Sequence, residues 1–414
     1  MGIVIGVGQT KPQEPYESFY GIEWDITVSN PDVSRVGKKE LHQELPVQSL
    51  MRRCVLRDNG EVAYYLDAND SAKKEGGAPA NLDGTDGQVM VEMPSFYYKF
   101  EEDGNKRRAL ISIEKTPGFS TFEKCYVSAY EATVQHSSRK LSSVATTNND
   151  YRGGDGSLIG KNDQALKPGY PIANVSAVSF LEFARARGAR WNFYLYEAHK
   201  MLFWLFAIEY ATFDAKKDFI AGVDSNGYKR GGIGQSVCNS SVGGVIIPCG
   251  VTNTLGNSTG VVSYTNNIPS GKSEVLSVPS YRGVELPFGH LYKVVNGIFF
   301  DNDWNVLVAK TADVVASDRL LRSGATVGVF ARSSGYIKAV NFGISGDIIA
   351  KEVGASNRSY FCDYSYAVGE RPAFGSHAKE GAGFAGFIYS RPITNEALPT
   401  PNVGTRLCYY PQPK

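Results

Sequence analysis

The stretch LYEAHKMLFWLFAIEYATF (195–213) constrains this chain more than any other. Its apolar residues nearly encircle a helix, and a helix that is apolar on every side belongs in an interior. A second helix is predicted over NVSAVSFLEFARARGAR (174–190). It has Ser176 at the N-cap, Val178, Leu181, Phe183 and Ala184 at helical spacing, and Gly188 as its stop. Residues 281–414 read as short strands and turns, with one further helical turn at Ala312–Leu321. A buried helix among many short strands predicts an α+β fold.

The first 115 residues read as a separate β-rich module. MRRCVLRDNGEVAYYLD (51–67) is strand, turn and strand, because Asp58-Asn59-Gly60 accepts positive φ cheaply. Residues 71–87 form a polar loop. QVMVEMPSFYYKFEEDGNKRRALISIEK (88–115) reads as a second hairpin turned at Asp103-Gly104-Asn105, with 94–100 leaving one face wet. From residue 116 the character changes. CYVSAYEATV (125–134) reads as a strand, 137–163 as a Ser/Thr/Asn/Gly loop, and 222–275 as an irregular insert with short strands such as VGGVIIPCG (242–250). A length of 414 residues accommodates two or three such domains.

Lys and Arg total 43 against 42 Asp and Glu, so no overall field draws nucleic acid or an anionic membrane. The longest apolar run, Met201–Ile208, falls far short of the ~20 residues that cross a bilayer. Met1–Val7 lacks the basic lead and cleavage site of a secretory signal, so a soluble protein made without one is expected. Six cysteines (Cys54, Cys125, Cys238, Cys249, Cys362, Cys408) form no CxxC pair, which argues against zinc. Free thiols in reducing cytoplasm are expected, with Cys238–Cys249 or Cys362–Cys408 the bonds left open. His199 reads as a core or capping histidine, while His136 and His290 show no partner pattern. Asp301-Asn302-Asp303 reads as an Asx turn and not a calcium loop. With no P-loop, GxSxG or HExxH motif, no cofactor, metal or catalytic residue is expected.

The C-terminal segment has a different character. SYFCDYSYAVGERPAFG (359–375), GAGFAGFIYSRPITNEALPTPN (381–402) and VGTRLCYYP (403–411) alternate Gly and aromatic positions with unrelated side chains. A rigid frame presenting an assorted contact surface has this pattern, and a catalytic site does not. The expected contact face is Ser365, Tyr366, Val368, Arg371, Ala373, Ser376, His377, Ala378, Lys379, Glu380, Phe387, Tyr389, Ser390, Arg391 and Ile393. Tyr and Arg are its expected hot spots. Phe384 is expected to turn into the core.

Four pieces of the second part resemble, in order, the domains of formylglycine-generating enzymes, whose fold is similar to C-type lectins. They are YVSAYEATV (126–134), PIANVSAVSFLEFARARGARWNFYLYEAHKMLFWLFAIEY (171–210), PFGHLYKVVNGI (287–298) and VGTRLC (403–408). The resemblance implies a C-type lectin-like domain over 116–414 with two helices and short twisted antiparallel strands. Enzymes of that superfamily carry two cysteines in a segment like SYFC (359–362). This chain has Cys362, but Ala367 stands where the second thiol belongs, so a two-thiolate copper site is not expected.

FCDYSYA (361–367), GAGFAG (381–386) and GTRLCYYP (404–411) also resemble the variable proteins of diversity-generating retroelements, which use the same frame. MRRCVLRDNGEVAYYLD and DGTDGQVMVEMP are similar to tail-fibre proteins of Bacteroidales phages. Together these resemblances imply a non-enzymatic host-attachment protein of a phage tail, with 359–411 as the variable region. Its implied partners are a bacterial surface receptor and other tail proteins bound through residues 1–115, in a homotrimer. An atypical enzyme of the formylglycine-generating superfamily and a calcium-dependent lectin are the alternatives.

Overall fold

The structure, a computed structural model, describes residues 18–30, 32–159, 161–162, 165–237, 246–267, 273–367, 369–376 and 386–412. Strand outweighs helix in a mixed α and β architecture. The all-round apolar stretch forms the helix Tyr196–Tyr210, in which every residue except Glu197 is buried. Its Trp204 stacks on Trp24 at 5.8 Å between ring centroids and meets Phe100 at 5.3 Å and Phe342 at 5.5 Å. Polar groups on so buried a helix need partners. The Lys200 ammonium lies 2.9 Å from Glu197 and donates to the Ser345 carbonyl, and Arg282 lies 2.6 Å from Glu209. The second helix spans Ala177–Arg185, with Ser176 accepting from the Ser179 N–H at 3.0 Å, as its N-cap chemistry predicts.

Strands β1 (Tyr20–Asp25), β2 (Ser34–Gly37), β3 (Arg52–Leu56), β4 (Val62–Tyr65), β5 (Gln88–Met93), β6 (Phe96–Asp103), β7 (Lys106–Ser112), β8 (Ser120–Phe122) and β9 (Cys125–Ser128) follow in order. β3 and β4 form the first expected hairpin, in which Asn59 accepts from the Glu61 N–H at 3.0 Å and Gly60 takes φ 87°. β6 and β7 form the second around Gly104-Asn105.

β5 departs from the sequence reading. It pairs β3 on one side and β9 on the other, in the antiparallel order Trp191–Phe193, Leu407–Tyr409, β9, β5, β3, β4. That sheet crosses the boundary expected at residue 115. Trp24, Met93 and Phe100 also share one apolar core with the helix Tyr196–Tyr210. Residues 18–115 are therefore not a separate module. The physical reason is that β5 is buried on both faces, Val89, Val91 and Met93 in one core and Met90 in another, and so needs cover on both, which a hairpin with one wet face cannot give.

The expected irregular insert is also more ordered than its composition suggests. Gly260–Asn267 pairs with Ser273–Tyr281 over eight positions, and Ser, Thr and Asn alternate with Val and Tyr along an exposed ribbon. Residues 242–245 of the expected strand lie outside the described residues, and 246–250 form no strand.

The C-terminal segment enters a seven-stranded sheet. Its order is Ala350–Val353, Gly335–Val340, Tyr364–Ser365, Ser390–Ile393, Arg371–Phe374, Tyr292–Val294, Val403–Gly404. Both faces of its centre are covered. Phe374, Phe387 and Ile388 enter the core around the central helix, while Ala373, Tyr389 and Ile393 enter a second core with Phe180, Trp191 and Leu407. No described helix is long and apolar enough to cross a membrane.

Candidate functional site

A row of tyrosines lies across this sheet. Tyr336 and Tyr364 stand opposite one another on paired strands, ring centroids 5.4 Å apart. Tyr366, two residues on and therefore on the same side, meets Tyr364 at 5.0 Å. Tyr366 meets Tyr389 edge-on at 6.1 Å, and Tyr389 stacks on Tyr292 at 5.7 Å with their hydroxyls 3.0 Å apart. Tyr292 and Tyr389 are buried as a floor, whereas Tyr336, Tyr364 and Tyr366 are half-buried. Arg391 is exposed, and its guanidinium sits 5.9 Å from the rings of both Tyr292 and Tyr366. Glu370 is paired with Arg322 at 3.1 Å, and Glu396 with Arg371 at 2.5 Å and Arg322 at 3.1 Å. Among the described residues Arg391 makes no ion pair, and its cation is held on aromatic faces.

The row has a rigid support. Lys216 lies 2.7 Å from Asp363 and donates to the Cys362 carbonyl at 3.1 Å, while Asp363 accepts from the Ile388 N–H at 3.1 Å. Burial works against the Lys216 ammonium, but Asp363, Cys362 and Asp214 beside it together outweigh burial and keep it charged. Burial pushes the Asp363 carboxyl up to about 6 in spite of Lys216. With donors on both oxygens at neutral pH, we read the pair as ionised. A side chain at Gly386 would meet the Asp363 oxygens at 2.2 Å, so glycine is required for this approach.

The structure corrects most of the expected contact face. Arg371 is fully buried, giving Nη1 to the Ile298 carbonyl at 2.8 Å, Nη2 to the Leu321 carbonyl at 2.7 Å and Nε to Glu396. Ser365 and Ser390 are buried and hydrogen-bonded to each other at 2.9 Å. Phe387 lies among Phe206, Phe288 and Phe203, and Ala373, Ser376, Tyr389 and Ile393 are also interior. The cause is the two-sided cover described above: alternation here sends successive residues into two cores, not into core and solvent. Tyr366 and Arg391 alone remain accessible among the described members. Val368, His377, Ala378, Lys379, Glu380 and Phe384 lie outside the described residues. Tyr336 and Tyr364 were missed. The Tyr-Ser-Tyr spacing of 364–366 signals one shared face, whereas the pairing with Tyr336 leaves no local trace.

Other chemistry-bearing groups are committed to the fold. His199 is buried and donates Nε2–H to the Phe387 carbonyl at 2.9 Å, consistent with a core histidine. His290 has a partner that sequence did not suggest. Its Nε2 accepts from the Ile247 N–H at 2.9 Å, so Nδ1–H donates to Glu131, which also meets Lys293 at 2.7 Å. Asp301 accepts from the N–H groups of Asp303 and Asn305, closing the expected Asx turn. Cys54, Cys125, Cys249, Cys362 and Cys408 are free thiols, and Cys238 lies outside the described residues. Burial raises the Cys362 thiol well above its usual value and pushes Cys408 up to about 12; Cys408 stands on the strand Leu407–Tyr409, while Cys362 lies in the loop before Tyr364–Ser365. A surface concavity of about 580 Å³ between residues 308 and 325 has only Lys310 and Asp313 as charged lining, and brings no nucleophile to a base. No protein-family model and no curated protein sequence matches this chain.

Proposed function

We propose that this chain is a non-enzymatic receptor-binding protein of a phage tail, presenting its contact surface on a C-type lectin-like scaffold. The observation that carries the reading is the row of Tyr336, Tyr364 and Tyr366 with Arg391 on a sheet anchored from behind by Lys216 and Asp363. Tyrosine and arginine offer contact area with polar handles at modest entropy cost, and a rigid support reduces that cost further. The lectin-like reading is supported by the antiparallel pairing of β9 with Leu407–Tyr409, which joins the expected opening and closing strands. Buried, protonated Cys362 supports a binding protein over a copper enzyme.

In this reading residues 18–115 are part of the scaffold as well as the route to other tail proteins. Trimerisation multiplies weak single contacts through effective concentration. The test is competition: purified chain added to host cells should block adsorption of the particle that carries it. Chain bearing Tyr364→Ala and Tyr366→Ala should not. Equal blocking by both proteins, or by neither, counts against the proposal.

A further inference from the structure

We propose that the tyrosine row takes a carboxylated surface polysaccharide, with a sugar carboxylate on Arg391 and sugar rings against Tyr366 and Tyr364. The inference rests on the host-attachment reading and narrows its receptor to one chemical class. Arg391 is exposed and makes no ion pair among the described residues, and the Tyr292 and Tyr366 rings hold it in place. A guanidinium so held offers a weakly hydrated, planar fork that matches a carboxylate in two hydrogen bonds. Charge complementarity therefore calls for an anion on this face.

The rest of the row fits a saccharide. Tyr336 and Tyr364 are inclined at 79°, and Tyr364 and Tyr366 at 57°, so the row is stepped and offers no flat platform. One planar aromatic ligand cannot stack across it, whereas successive pyranose rings of a twisted chain each meet a separate tyrosine. Every ring carries a hydroxyl that both donates and accepts, matching sugar hydroxyls.

The test presents the full chain to an array of carboxylated polysaccharides, the same polymers with carboxyls reduced to alcohols, and sulfated and neutral polymers. Binding to at least one carboxylated polymer is expected. Carboxyl reduction should weaken it about tenfold. Arg391→Ala should cause the same loss and Arg391→Lys a smaller one, and binding should fall as salt rises. Binding indifferent to carboxyl reduction or to Arg391→Ala overturns the proposal, as does a preference for the sulfated polymers. In parallel, host cells are treated with periodate or with protease. Cell binding that survives periodate but not protease means a protein receptor, which overturns this inference and leaves host attachment standing. Failure to bind untreated cells overturns both.

Discussion

Arg371 and Arg391 lie twenty residues apart and have opposite roles. Arg371 is interior and uses its donors on Glu396 and two backbone carbonyls, so Arg371→Ala leaves those carbonyls without their donor and Glu396 with Arg322 alone, and should cost about 3 kcal/mol. Arg391→Ala removes an exposed side chain and should change stability by no more than about 0.5 kcal/mol. Denaturant melts of the two variants check this, and similar losses would contradict the assignment. Acid sensitivity also belongs at this scale. Burial holds His199 down at about 3 and His42 at about 4, despite the carbonyls of Phe387 and Val36 that favour their charged forms. Below about 6.5 the unfolded chain takes up protons that these folded histidines refuse, so stability falls with pH. Burial would raise Glu131, but Lys293 and then His290 outweigh it and hold it at about 2, against 4.5 ordinarily. Its contribution is therefore complete above about 4.5 and is lost towards 2. Asp363, raised to about 6, works the other way between about 6 and 3.8, but the two histidines lose over the same range and outweigh it, so unfolding free energy should still decline from pH 7 to 3. A flat profile across that range would contradict the buried placements.

At the scale of elements, the central helix was the most legible feature, because an all-round apolar pattern specifies burial without reference to a partner. The Ser176 cap, both hairpin turns and the Asp301 turn were legible for the same reason: each is local chemistry closing within five residues. The contact face was not. Whether Phe387 or Tyr389 meets solvent depends on how many layers cover the sheet, and that is set by Phe203, Phe288 and Tyr292 far along the chain. Likewise, Tyr336 joins Tyr364 through a strand pairing that leaves no local sequence signal. The contact between the central helix and β1 gives an element-scale prediction. Trp204 packs on Trp24 and donates to the Gly346 carbonyl at 2.7 Å. Trp24→Ala should therefore destabilise the whole chain by about 3–5 kcal/mol in a single cooperative transition. An early, separate melting phase confined to the N-terminal part would contradict a shared core.

Across the whole molecule, a fragment starting at residue 116 loses β3, β4 and β5 and exposes the edge of β9. It should aggregate or stay unfolded, as judged by circular dichroism and size exclusion. A monomeric fragment with a sharp melt would restore two independent domains. The recognition surface tests the central claim most directly, in a binding isotherm of the full chain on host cell envelopes, with and without Tyr364→Ala, Tyr366→Ala and Arg391→Ala combined. The expected result is at least about a hundredfold loss of affinity, the sum of two or three ordinary hot-spot contributions, with a melting temperature within a few degrees of the parent. Undiminished binding by a folded triple variant would contradict it.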